Sequence, residues 1–163
     1  MNLKVLWGNP FLRNNHGIET DIEFISSVPL FSGINNKGLS KIYPLFYVRN
    51  YKKDEIIFRQ ADPGVGLYII REGQVAVYKE CEDLIKKEIT VLNQGDFFGE
   101  ISLLNESFRS GTIVSSCNTT LLGLFKPELM SLMDSDARLG QSLLFNIAQV
   151  LAERLRLSSE ISS

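Results

Sequence analysis

From Phe46 to Phe125 the chain repeats one pattern: short runs of apolar residues, several alternating with polar ones, each closed by a turn signal. Tyr47-Val48-Arg49-Asn50-Tyr51 alternates, and Glu55-Ile56-Ile57-Phe58 and Gly66-Leu67-Tyr68-Ile69-Ile70 do so more loosely. Gln74-Val75-Ala76-Val77-Tyr78, Glu88-Ile89-Thr90-Val91-Leu92, Thr112-Ile113-Val114 and Thr120-Leu121-Leu122-Gly123-Leu124-Phe125 follow. Ala61-Asp62-Pro63-Gly64, Glu72-Gly73 and Asn93-Gln94-Gly95-Asp96 supply the turns. Successive side chains of a strand point to opposite faces, so such runs bury one face readily and cannot settle as helices. Many short strands at this spacing indicate a sandwich or a jelly-roll barrel, and the expected fold is mainly β with flanking helices, built on a jelly-roll β-barrel over residues 47–125. The charged stretch 80–87 is expected to be a solvated hairpin tip.

The flanks have a different period. Residues 1–20 carry Trp7, Phe11 and Leu12, but Gly8, Pro10 and Gly17 break any helix, which predicts an irregular N-terminal arm. Asp21 can cap a short helix through Ile25, Pro29 to Gly33 reads as a turn, and a second helix is expected from about Asn36 to Tyr43 before Pro44. Together these form a helical segment, 21–46. Lys126-Pro127-Glu128 opens another helix, with proline at an early position. After Asp134-Ser135-Asp136 a longer one runs to about Ser158, carrying Leu143, Leu144, Ile147, Val150, Leu151 and Leu155 on one broad face. The helices 126–158 close a domain expected to span 21–158, leaving 159–163 as a frayed tail.

Composition narrows the function. A chain of 163 residues, 44% hydrophobic and 22% charged, is one ordinary globular domain, and its net charge of −2 gives no overall basic footprint for nucleic acid. Cys81 and Cys117 have no metal or redox spacing and read as reduced thiols. His16 is the only histidine, which excludes the several-histidine metal centre of a cupin and any Ser/His/Asp or Cys/His constellation, so neither a metal site nor an enzyme is expected. No stretch approaches the ~18 uninterrupted apolar residues of a membrane span. No secretory signal stands at the start, and the expected compartment is the cytoplasm.

One segment carries chemistry: Gly95-Asp96-Phe97-Phe98-Gly99-Glu100-Ile101-Ser102-Leu103-Leu104, followed by Phe108-Arg109-Ser110-Gly111-Thr112. Gly99, lacking a Cβ, lets the backbone approach a ligand. Ile101 to Leu104 reads as one helical turn whose free N–H groups favour an anion. Arg109 offers a positive fork to phosphate oxygens. Glu100, an acceptor when ionised, suits a sugar hydroxyl. Cation, amides and hydroxyl acceptor on one loop point to a small sugar phosphate.

This segment resembles the phosphate-binding cassette of the cyclic nucleotide-binding domain family, which includes bacterial catabolite activator proteins, regulatory subunits of cyclic-AMP-dependent kinase and cyclic-nucleotide-gated channels. The family pattern is Phe-Gly-Glu, an aliphatic residue, Ala, two more aliphatics, a short loop, then Pro-Arg-Ala-Ala or Pro-Arg-Thr-Ala. Phe98-Gly99-Glu100-Ile101-Ser102-Leu103-Leu104 and Phe108-Arg109-Ser110-Gly111 match it, with Phe108 in place of proline and Ser102 and Gly111 in place of alanines. The resemblance covers roughly residues 21–158 and implies a stand-alone bacterial-type domain acting as a regulatory sensor of a cyclic nucleotide, most simply cyclic AMP, with cyclic GMP the other candidate and no further cofactor. By the resemblance, Gly99, Glu100, Ile101, Ser102, Arg109 and Ser110 form the ligand site. Arg109 and the N–H groups of Ser102 and Ser110 would meet the phosphate, Glu100 the ribose 2′-hydroxyl, and the last helix would cover the base. That helix would also signal, through a homodimer or a separate effector protein, because the chain ends without the winged helix-turn-helix of a family transcription factor. The competing expectation is a degenerate domain that keeps the scaffold for protein–protein contact and binds no nucleotide.

Overall fold

A computed structural model describes residues 15–80, 86–105 and 107–161. The chain forms α1 (Asn15–Ser26), α2 (Asn36–Ile42), β1 (Tyr47–Tyr51), β2 (Ile56–Phe58), β3 (Gly66–Glu72), β4 (Gln74–Glu80), β5 (Lys86–Asn93) and β6 (Phe97–Phe98). Then come α3 (Ile101–Leu104), β7 (Thr112–Ser115), β8 (Thr119–Phe125), α4 (Lys126–Ser135) and α5 (Ala137–Ile161), while 3-10 turns at Pro29–Phe31 and Tyr43–Leu45 join the first helices to the sheets.

The strands make two four-stranded antiparallel sheets, ordered β1-β8-β3-β6 and β2-β7-β4-β5. Among the described residues no strand pairs across from one to the other. This corrects the jelly-roll β-barrel expected from the sequence: the fold is a mixed arrangement of two open sheets with flanking helices. Closure needs a continuous hydrogen-bonded ladder. Here β6 is two residues long and β2 three, so one edge of each sheet offers little ladder to extend.

The core follows from alternation in doubly buried strands. Leu67 and Ile69 of β3 and Leu122 and Leu124 of β8 pair in register and pack against the helices, with Ile25, Phe31, Leu39, Leu129, Leu143 and Ile147. The opposite face carries Ile70 and Leu121, which join Val75, Ile113 and Phe98 in a second cluster shared by both sheets. Strands buried on both faces read as nearly continuous apolar runs, which is why β3 and β8 alternate only loosely.

Several sequence expectations shift at the ends of elements. α1 begins at Asn15, ahead of the expected start at Asp21, and takes in Gly17. A single glycine inside a helix costs only about 1 kcal/mol, and tertiary anchoring exceeds that. Asp21, fully buried, accepts from the Tyr43 hydroxyl and pairs with Arg71 of β3, tying α1 to the first sheet. α2 starts at Asn36 as expected, capped by Asn35, which accepts from the Gly38 N–H at 2.9 Å. α5 continues to Ile161, beyond the tail expected to fray from Ser159. Of the hairpin tip expected at 80–87, Glu80 ends β4 and Lys86 and Lys87 begin β5, while residues 81–85, Cys81 among them, and residues 1–14 of the N-terminal arm lie outside the described residues; Cys117 is a free thiol.

Candidate functional site

The β6–α3 turn and the approach to β7 meet at one end of the sheets. Gly99 sits at φ 81°, a left-handed conformation that favours glycine. A Cβ there would stand 2.4 Å from Arg109 Nη1, so the space left by the missing side chain is taken by the arginine of the same motif. Gly111 opens β7 for a different reason: a Cβ would lie 2.9 Å from the Tyr78 carbonyl oxygen on β4. The replacement of the family's alanine therefore accompanies a close strand approach.

Arg109 is 6% exposed. Its Nη1 donates to the Gly66 carbonyl at 2.9 Å and to the Gly99 carbonyl at 3.3 Å. Its guanidinium lies over the Phe58 ring at 4.1 Å. The Nε is buried without a hydrogen-bond partner, and among the described residues no acidic side chain forms an ion pair with this guanidinium. Burial lowers its pKa from the ordinary arginine value, opposed by Tyr68, Asp62 and Glu100, and the group stays cationic at neutral pH. Backbone bonds fix the loop around it. The Arg109 N–H donates to the Asp62 carbonyl at 2.8 Å, and the Ala61 N–H donates to the Arg109 carbonyl at 2.9 Å.

Glu100 is 5% exposed and precedes α3. Its Oε1 accepts from Arg154 Nη1 at 2.7 Å. Arg154 Nη2 donates to the Phe97 carbonyl at 3.1 Å, and the guanidinium covers the Phe97 ring at 4.5 Å. Arg154 belongs to α5, so the last helix reaches into the site by a charged side chain. Arg154 is absent from the apolar set expected on this helix, and no feature of the sequence singled it out as a site residue.

A cavity of about 400 Å³ opens here, walled by β2, β4, β5, β6, the turn through Gly99 to Ser102, the Phe108 to Gly111 segment and Arg154. All six sequence-predicted site residues line it: Gly99, Glu100, Ile101, Ser102, Arg109 and Ser110. Ser102 is buried, while Ile101 and Ser110 are exposed. Phe108 stands at the rim, 71% exposed, and its backbone bridges to Pro63. It also lines a second, more apolar recess of about 610 Å³ with Val65, Pro127 and Met130. The larger recess lacks both Glu100 and Arg109, so the smaller cavity is the chemically equipped one. Among the described residues no group of His, Cys, Asp and Glu side chains could hold a metal ion.

Residues 48–136 match the cyclic nucleotide-binding domain family, and the chain belongs to that family. It is 33% identical over 128 residues to the cyclic AMP receptor protein of Thermus thermophilus, covering 78% of this chain and 57% of the relative. It is 36% identical over 95 residues to the cGMP-dependent protein kinase egl-4 of Caenorhabditis briggsae, covering 58% of this chain and 13% of the kinase. The crystal structure of a cyclic nucleotide-binding domain from Methylobacillus flagellatus superposes with a TM-score of 0.78 at 25% identity, over 89% of this chain and 82% of that one. The chain thus spans little more than half of the first relative and a small part of the second. The shared region is the non-catalytic regulatory module of such proteins. No helix among the described residues is long and apolar enough to cross a membrane.

Proposed function

We propose that this chain is a regulatory sensor that binds a cyclic nucleotide, cyclic AMP foremost, in the cavity at Gly99 to Ser110. The observation that carries the reading is the pair of buried charges on one loop: Arg109, held by carbonyls and an aromatic face with no acidic partner among the described residues, beside Glu100. An uncompensated buried cation is costly, and a cyclic phosphate is an anion of suitable size for a cavity of about 400 Å³. In this reading Arg109 and the N–H groups of Ser102 and Ser110 take the phosphate, Glu100 accepts from the 2′-hydroxyl, and Gly99 and Ile101 shape the wall. Relatives named for cyclic AMP and for cyclic GMP both resemble the chain, so the base is the finer question. Ser110 has the hydroxyl that can serve either. α5, joined to the site through Arg154, is the element that passes the signal on, to a second copy or to an effector.

Calorimetric titration of the chain with cyclic AMP and cyclic GMP tests the proposal. The expected result is saturable binding of at least one, with cyclic AMP the tighter. Absence of heat with both nucleotides, backed by no change in melting temperature, would leave the scaffold as a protein-contact module.

A further inference from the structure

We infer that the apolar recess beside Phe108 is a second ligand site, separate from the nucleotide cavity, which takes a small amphipathic anion: an aliphatic or aromatic body carrying one carboxylate or sulfonate. The recess measures about 610 Å³ and is walled by the β2–β3 loop, the start of α4, Ser102 and the residues leading to Arg109. Pockets for small organic ligands fall in this range, with mostly apolar walls and a few placed polar groups. Val65, Phe108 and Met130 line it while 56%, 71% and 47% exposed, and Pro63 and Pro127 complete the apolar wall. Exposed apolar side chains gathered around one concave surface mark a place that a partner or ligand covers.

The polar groups define the head of the ligand. Among the described residues that line the recess, Lys126 is the charged one, half-buried at the start of α4. Ser107 lines it as well, and its hydroxyl is buried without a hydrogen-bond partner. An ammonium offers only donors, and a hydroxyl can donate to an anion. A cation and an unsatisfied hydroxyl beside an apolar wall therefore fit an anionic head on an apolar body. A wholly apolar occupant would cover the Ser107 hydroxyl and leave it unpaired, which is costly.

Backbone bonds fix the floor of the recess. The Gly64 N–H donates to the Ser107 carbonyl at 3.2 Å, the Lys126 N–H to the Val65 carbonyl at 3.1 Å and the Arg109 N–H to the Asp62 carbonyl at 2.8 Å. A Cβ on Gly64 would run into the Ser102 side chain, so the β2–β3 loop lies close against α3. One loop thus joins the recess, the start of α4 and the backbone of Arg109. Ser102 and Phe108 line the recess and the nucleotide cavity alike. A consequence, resting on the cyclic-nucleotide reading, is coupling: an occupant of the recess changes the affinity for the nucleotide, and the nucleotide changes the affinity for the occupant by the same factor.

Fluorescence titration with 1-anilinonaphthalene-8-sulfonate tests the inference, with N-phenyl-1-naphthylamine, the same body without the sulfonate, as the comparison. Saturable binding of one sulfonate probe per chain is expected, about fivefold or more tighter than the neutral probe. Met130→Glu should weaken both probes about tenfold or more, by setting a carboxylate in the apolar wall. Lys126→Gln should remove the preference for the sulfonate and leave the neutral probe unchanged. Phe145→Glu with Leu155→Glu, on the exposed side of α5, should change neither. Urea unfolding checks that each variant keeps the fold, and Met130→Gln carries the test if the glutamate variant is unstable. Cyclic AMP should shift the Kd of the sulfonate probe to a plateau. Full competitive displacement would put the probe in the nucleotide cavity, and indifference to both the Met130 and the Lys126 variants would put it elsewhere; either result overturns the second site. A probe Kd that cyclic AMP leaves unchanged, in a chain that binds the nucleotide, would overturn the coupling. A chain that binds the probe as expected but neither nucleotide would remove the cyclic-nucleotide reading and leave the second site in place.

Discussion

At the scale of single residues, Arg109 has two roles that substitution will separate. Its guanidinium satisfies the Gly66 and Gly99 carbonyls, and it presents a buried positive charge to the cavity. Arg109→Ala is therefore expected to reduce cyclic-nucleotide affinity by about 30-fold to several thousand-fold, as loss of one member of a buried charged pair does. It should also lower folding stability by about 1–3 kcal/mol, because buried carbonyls lose their donor. Calorimetry measures the first and urea unfolding the second; a change in Kd below about threefold would remove Arg109 from the site. The spacing of Phe98-Gly99-Glu100 to Arg109 made this cluster legible in the sequence, since a local motif keeps its parts within one loop. The reason for Gly99 was only partly legible: the sequence pointed to ligand approach, and the closest neighbour is Arg109 itself. Arg154 was not legible, because its contact with Glu100 depends on how α5 packs and no local period encodes that.

At the scale of elements, strands were readable where a turn signal bounded them, and closure was not. Alternation reports that a strand exists and which face it buries. It does not report which edge pairs with which, so two open sheets and a closed barrel share one pattern. The start of α1 was displaced for a related reason, since the buried Asp21–Arg71 ion pair holds this helix across a glycine that local propensity would reject. The α4–α5 junction shows local chemistry prevailing. Asp136 accepts from the Leu139 N–H at 3.2 Å at the start of α5 and pairs with Lys41 of α2 at 2.6 Å. The Lys41 bond first, then the Leu139 N–H, lower the Asp136 pKa below the ordinary carboxylate value. A depressed folded-state pKa contributes stability that is present above the unfolded value, about 4, and lost as pH falls through the folded one. Asp136→Ala should therefore lower the melting temperature at pH 7, and the gap from the parent should narrow below about pH 4. Thermal melts between pH 7 and pH 3 check this, and a gap that is constant or widens toward acid would show that the charge of Asp136 contributes nothing.

At the scale of the whole molecule, α5 has two faces with different fates. Leu143 and Ile147 are buried in the helix-side core, and Val150 and Leu151 pack against it. Phe145 and Leu155 are instead 63% and 72% exposed, and Ala148 and Ala152 between them are exposed too. Positions 145, 148, 152 and 155 advance by three, four and three residues, the spacing of a helical seam about 15 Å long. The small residues in its middle allow two such helices to approach, and large ones at each end fill the flanks. A seam of this kind is self-complementary about a two-fold axis, so a second copy of α5 is its natural cover. The sequence showed an apolar surplus on this helix but assigned Leu151 and Leu155 to one face, whereas the fold gives Leu151 to the core side and Leu155 to solvent. The prediction is accordingly placed on the outer residues: the parent chain should be a dimer in solution, and Phe145→Glu with Leu155→Glu should convert it to a monomer with an unchanged helical circular dichroism spectrum. Because Leu155 adjoins Arg154, the dimer should also bind cyclic AMP more tightly than the monomeric variant. Multi-angle light scattering across a concentration series, with calorimetry on both proteins, decides the matter. A parent chain that is monomeric at every concentration would leave this face without a self-association role.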